Sequence, residues 1–172
     1  MFLYNYINMK LIIVRHGEAE LGPIDTERQL TPDGQNDIKL MSRFIKSCHW
    51  KIASIFHSPL LRTTQTAQII KENLDGDISV VSRSALRSGC DPEDSLSLLD
   101  EMNGNEAAIW VFHAPDVARV ASILTGLAES NFYFPPGAMT ALNLPATHPR
   151  GRSLLIWKLQ PEFIRDYTPC ND

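Results

Sequence analysis

Two rhythms alternate along the chain. Residues 11–14 form an unbroken apolar run with β-branched side chains, bounded by Arg15-His16-Gly17. Such a run predicts a strand buried on both faces of a parallel sheet. Residues 25–29 form a polar loop, and Thr31-Pro32-Asp33 then predicts a helix start, with Thr as N-cap, Pro at the first helical position and an acid in the first turn. Ile38, Met41 and Ile45 recur at helical spacing, widened by Leu40, Phe44 and Cys48. Residues 51–57 read as a second strand, and Ser58-Pro59 opens the next helix by the same capping logic, with Leu60, Ala67, Ile70 and Leu74 on its buried side.

A short strand follows at 78–81, a turn-rich loop at 87–93 and a helix over about 94–101. Residues 107–112 form another apolar strand, and Pro115 opens a helix reaching about Leu127. Residues 138–144 and 153–159 read as closing strands, paired as a hairpin across 145–152. Strands and helices alternating at these lengths predict an α/β fold, a three-layer α/β/α sandwich around a mostly parallel sheet.

Composition narrows the class. The 172 residues are 44% hydrophobic and 21% charged, which suits one core within a single domain. The domain is expected over 10–172, with 1–9 as an N-terminal extension, because Met9-Lys10 directly precedes the first strand and offers an alternative start to Met1. A net charge of -4 argues against non-specific nucleic-acid binding. Apolar runs here are far shorter than the ~20 residues that span a bilayer, and residues 1–8 lack the basic start and cleavage site of a signal peptide. The three cysteines Cys48, Cys90 and Cys170 are odd in number and contain no C-x-x-C pair. A soluble cytoplasmic protein without a disulfide framework or zinc site, and with no membrane partner, is therefore expected.

Candidate chemistry lies at strand ends. Arg15-His16-Gly17 follows the first strand, Ser58 and Arg62 the second, and His113 the strand ending at Phe112. In open α/β sheets ligands bind at the carboxyl ends of strands, so parallel neighbours would bring all three clusters to one rim. Guanidinium groups match phosphate oxygens with a rigid fork of donors. Arg62 would sit in a first helical turn, where free N–H groups also favour an anion. A neutral imidazole held in one tautomer is a competent nucleophile, and Gly17 would let the backbone turn and approach a ligand. Taken singly, Arg62 reads equally as a solvated helix residue, His113 as a rim histidine and Ser58 as a helix cap. Joint placement is what points to phosphoryl transfer, and the residue set has no metal-ligand composition, so neither metal nor cofactor is expected.

These residues carry a family resemblance. LIIVRHGEAE (11–20), SPLLRTTQTAQII (58–70) and the histidine of WVFHAP (110–115) resemble the histidine phosphatase superfamily, also called phosphoglycerate mutase-like. RQLTPDGQ (28–35) and WKLQP (157–161) are similar in particular to the SixA-type phosphohistidine phosphatases. The resemblance implies that His16 is the phosphoryl-accepting nucleophile and that Arg15, Arg62 and His113 form the phosphate pocket. It also implies that Arg28 faces phosphate or substrate, with Gly17 and Ser58 as supports.

One departure stands out. Many relatives place a carboxylic acid after the third strand to protonate the leaving oxygen, whereas LRSGCDPEDS (86–95) lacks their glutamate-rich pattern. Asp91 and Glu93 are the candidates there, although a helix-capping Asp-Pro and a first-turn acid are the preferred reading of them. General acid catalysis is worth ~10²–10⁴ in rate, so an enzyme without it needs a leaving group that departs easily. Phosphohistidine on a signalling or phosphotransfer protein is such a substrate. The rival readings are a phosphatase of small phosphoesters, favoured if Asp91 or Glu93 entered the pocket, and a non-catalytic phosphate- or phosphoprotein-binding module.

Overall fold

Alternation along the two central strands decides the architecture. A computed structural model describes residues 8–102 and 106–167. In β1 (Asn8–Arg15), Leu11 and Ile13 join one apolar cluster while Ile12 and Val14 join another. β4 (Ala107–Phe112) does the same, sending Trp110 and Phe112 one way and Ile109 and Val111 the other. Both strands are thus covered on two faces, as the unbroken apolar runs require.

The covering helices come in sequence order. α1 (Pro32–Ser47) and α2 (Leu61–Asn73) bury Ile38, Met41, Ile45, Ala67 and Ile70 on one face of the sheet. α3 (Pro92–Ser97) and α4 (Asp116–Thr125) bury Leu96, Val117, Val120 and Leu124 on the other. The remaining strands are β2 (Ile52–His57), β3 (Ser79–Ser82), β5 (Met139–Pro145) and β6 (Leu154–Leu159). Their order across the sheet is β3-β2-β4-β1-β5-β6. β3, β2, β4 and β1 run parallel, and β5 pairs antiparallel with both β1 and β6. The three-layer α/β/α arrangement around a mostly parallel sheet is the expected one.

Local boundaries differ where tertiary contacts intervene. β1 starts at Asn8, so Asn8 and Met9 belong to the sheet, paired with Pro145 and Leu144, rather than to an extension. The rest of that expected extension, 1–7, lies outside the described residues, as does Cys170. α2 starts at Leu61 behind Leu60, whose side chain gives no cap, so Ser58 does not cap it. The helix expected over 94–101 is α3 followed by a short 3-10 turn, Leu98–Glu101. A last helix, α5 (Pro161–Tyr167), has no counterpart in the sequence reading. Among the described residues no helix is long and apolar enough to cross a membrane.

One packing contact ties the fold to the chemistry. The chain leaving His16 runs backbone-to-backbone against the first turn of α1. A Cβ on Gly17 would stand 2.9 Å from the Gly34 carbonyl oxygen, and one on Gly34 would stand 2.8 Å from the Glu18 amide nitrogen. Gly17 therefore serves the close approach of α1, a different reason from the turn expected of it. Gly34→Ala should lower stability by ~1–3 kcal/mol, the cost of overpacking a rigid contact. Urea unfolding checks this, with a lower midpoint and an unchanged m-value expected.

Candidate active site

Three neighbouring parallel strands end within one residue of one another. Arg15 pairs with Phe112 and His57 with Val111, so β1, β4 and β2 stop side by side. The ladder continues one residue further: the His16 amide donates to the Phe112 carbonyl at 3.1 Å and the Ser58 amide to the Val111 carbonyl at 3.0 Å. The His16 carbonyl accepts from the Gly137 amide at 2.9 Å, and the Gly17 amide donates to Thr66 Oγ1 on α2 at 3.2 Å. His16 is thus held from the β1, β4, α2 and β5 sides at once, and no loop flexibility is left to it.

The imidazole of His16 has a defined tautomer. Its Nδ1–H donates to the Gly17 carbonyl at 2.7 Å, which leaves the lone pair on Nε2. Arg62 Nε–H donates to that Nε2 at 3.2 Å. Arg62 is only 4% exposed, and a buried cation needs partners on every donor. Nη1 donates to the Asp25 carbonyl at 2.7 Å and Nη2 to the Asp25 carboxylate at 3.1 Å. Asp25 also accepts from Arg28 Nη1 at 3.2 Å, so one carboxylate joins both arginines. Despite some desolvation, the hydrogen bonds from Arg62 and Arg28 hold the Asp25 carboxyl below its usual range. The sequence reading passed over Asp25 as part of a polar loop; its spacing three residues before Arg28 was the available signal.

His113 completes the group. Its ring centroid lies 5.3 Å from that of His16, and Nε2 is 2.9 Å from Ser58 Oγ. Ser58, completely buried, therefore orients His113 instead of capping α2. Arg15 Nη1 donates to the Phe134 carbonyl at 2.8 Å. Arg15 Nε and His113 Nδ1 are buried and have no hydrogen-bond partner among the described residues. An unmet buried polar group costs ~1–3 kcal/mol, and Arg15 Nε–H is a donor that calls for an acceptor such as a phosphoryl oxygen. Arg28 stands at the rim, its Nε donating to the Glu20 carbonyl at 2.7 Å.

The candidate acids are committed elsewhere. Asp91 Oδ1 caps α3 by accepting from the Glu93 amide at 2.9 Å. Glu93 forms a forked ion pair with Arg150, which holds its carboxyl below the usual range. Neither geometry makes a proton donor for the pocket. His57 is buried with Nδ1 2.8 Å from its neighbour's carbonyl, Ser58 O. Among the described residues no cluster of three or more His, Cys, Asp or Glu is placed to hold a metal ion.

Burial and surrounding cations keep both histidines neutral. Desolvation pushes the pKa of His16 down to about 4, with Arg62, Arg15 and Arg28 adding repulsion. Desolvation, then the neighbouring His16 and Arg62, pushes that of His113 down to about 3. Between these values and the ordinary 6.5 the unfolded chain binds more protons than the folded one, so stability rises with pH across that window. The ligand-free protein should accordingly lose thermal stability from about pH 7 to pH 5, before most carboxylates titrate. A melting temperature that is flat over this range would contradict the burial of neutral imidazoles.

Comparison with known proteins places this geometry. Residues 11–88 match the family model of the histidine phosphatase superfamily, branch 1. The chain is 34% identical over 68 residues to phosphohistidine phosphatase SixA of Escherichia coli, covering 39% of this chain and 42% of that protein. It is 32% identical over 80 residues to the mitochondrial serine/threonine-protein phosphatase PGAM5 of mouse, covering 46% of this chain and 27% of that protein. The matches thus span less than half the length of either curated relative. The fold is similar to the structure of the protein histidine phosphatase SixA complexed with tungstate, with a TM-score of 0.82 and 24% identity over 91% of this chain and 99% of that one. It is also similar to a phosphoserine phosphatase of Entamoeba histolytica in complex with phosphoserine, with a TM-score of 0.66 and 20% identity over 90% and 98% of the two chains. Arg15-His16-Gly17 and Arg62 thus lie inside the segment that matches the histidine phosphatase superfamily, and the fold is similar to that of a SixA-type structure along most of the chain.

Proposed function

We propose that this chain is a phosphohistidine phosphatase, hydrolysing N-phosphohistidine on a signalling or phosphotransfer protein through a phosphoryl group carried on His16 Nε2. The single observation that carries the reading is the state of His16: neutral, with Nδ1–H fixed on the Gly17 carbonyl and the Nε2 lone pair facing Arg62. Nε2 attacks phosphorus, the P–N bond of the substrate breaks, and the departing imidazole takes a proton from water. Water then attacks phospho-His16, releasing phosphate and restoring the lone pair. Arg15, Arg62 and His113 hold the equatorial oxygens, on which charge concentrates during in-line transfer, and Arg28 extends the positive field to the rim.

Phosphohistidine is favoured over phosphoesters by the carboxylates. An alkoxide needs a proton as it leaves, and Asp91 and Glu93 are held as a helix cap and an ion pair. Imidazole leaves without that help, whereas the phosphoester reading calls for one of these acids in the pocket, and both are held elsewhere. Residues 8–167 are taken as one catalytic domain. A cytoplasmic location is part of this proposal, and the free thiols of Cys48 and Cys90 support it.

Rapid quenching at high pH should trap an acid-labile phosphoryl label on the wild type. His16→Ala should abolish label and turnover together, and Arg62→Ala should slow turnover by ~10²–10³. Label-free binding of phosphate by the wild type, with no turnover on any substrate, would establish the binding module instead.

Rates on a phosphohistidine protein and on a panel of phosphoesters decide the substrate class. Asp91→Asn and Glu93→Gln should leave phosphohistidine hydrolysis within about twofold, against the ~10²–10⁴ expected for loss of a general acid. Activity should also survive EDTA, and restoration by added Mg²⁺ or Zn²⁺ after a loss would overturn the metal-free mechanism.

A further inference from the structure

The loops that hold the two pocket arginines also carry exposed apolar side chains. Arg62 is bonded to the backbone and side chain of Asp25, in a loop whose Leu21 is 93% exposed and whose Ile24 is 52% exposed. Arg15 is bonded to the carbonyl of Phe134, next to Tyr133, which is 70% exposed and close enough to Arg15 to influence its charge. Single exposed hydrophobes need no explanation, but three flanking one polar pocket on both sides do.

The first loop is tied, so its apolar apex is not a product of slack chain. Ala19 and Leu30 form an isolated bridge, the Glu20 amide donates to the Gln29 carbonyl at 2.8 Å, and Arg28 Nε closes on the Glu20 carbonyl. A cavity of about 420 Å³ opens against this loop, within the range that takes up inserted side chains. The surrounding charge is negative: Glu20 and Glu27 are exposed and form no ion pair among the described residues.

We infer that the substrate docks as a protein surface straddling the pocket, with apolar side chains on either side of its phosphohistidine seated on Leu21/Ile24 and on Tyr133, and with a lysine or arginine facing Glu20 and Glu27. The inference rests on the phosphohistidine reading above and adds what the site recognises around the phosphoryl group. Continuity with the pocket supports this occupant: any macromolecule delivering a phosphohistidine to His16 must cover both shoulders. A small phosphoester reaches neither, and a second copy of this chain would bring the same acidic fringe against itself.

Three probes test it: free phosphohistidine, and two chemically phosphorylated peptides that differ only beside the phosphohistidine, leucine and lysine in one, serine and glutamate in the other. The leucine/lysine peptide should be hydrolysed with a kcat/KM at least about tenfold higher, chiefly through KM. The combined variant Leu21→Ser, Ile24→Ser, Tyr133→Ala, Glu20→Gln, Glu27→Gln should erase that preference and leave the rate on free phosphohistidine within about twofold. Hydrolysis of all three probes without preference, or a preference that survives in the variant, overturns the docking surface and leaves the phosphohistidine reading standing. Loss of activity on free phosphohistidine in a variant with native circular dichroism shows that these residues serve the pocket itself, which also overturns it. Turnover of p-nitrophenyl phosphate with none on any phosphohistidine probe defeats the reading on which the inference depends, and the inference with it.

Discussion

The register of three adjacent parallel strands is the constraint on which the site depends, because it sets how far each chain runs before it is free to turn. β1, β4 and β2 pair so that Arg15 and Phe112 end level and His57 ends one residue short of them. The next residue of each is then His16, His113 or Ser58, and the sheet itself delivers the proposed nucleophile, the proposed pocket histidine and an orienting hydroxyl to a single rim. A slip of one residue in any strand would turn its side chains to the opposite face. Burial on both faces, with Trp110, Phe112, Ile12 and Val14 fully enclosed, is what makes such a slip prohibitively costly.

The electrostatics follow from the same enclosure. Desolvation at the end of a buried sheet raises the cost of a positive charge on either imidazole, and the neighbouring guanidinium groups add to it, so both imidazoles are neutral. Neutrality is what a nucleophilic nitrogen needs. Arg62 resolves its own burial by bonding outward to Asp25 and inward to His16 Nε2, which aims a cation at the atom that would receive the phosphoryl group. One side chain thus links the rim loop to the strand-end histidine.

The sheet's parallel core and the key residues were legible in the chain because both are local signals. Unbroken apolar runs at 11–14 and 107–112 mean burial on two faces, and R-H-G, S-P-L-x-R and F-H-A-P sit directly at their ends or at that of the second strand. The amphipathic stripe of Ile38, Met41 and Ile45 settled where α1 would face.

What the chain alone left open were partnerships between distant residues. Ser58 next to Pro59 satisfies every local rule for a cap, yet its hydroxyl binds His113, 55 positions away. Asp25 looks like any acid in a polar loop until α2 brings Arg62 against it. Gly17 and Gly34 read as a turn glycine and an ordinary helix residue, and only their mutual approach reveals why neither has room for a Cβ. α5 went unseen because its seven residues fall short of the length at which periodicity registers. The sequence by itself determined the two-sided burial, the order of elements and the residues proposed for phosphoryl chemistry, since each is written in neighbouring positions. Tertiary structure alone decided which donors pair, which carboxylates are spent on caps and ion pairs, and which tautomer His16 holds, since those depend on distances that close only when the strands lie side by side.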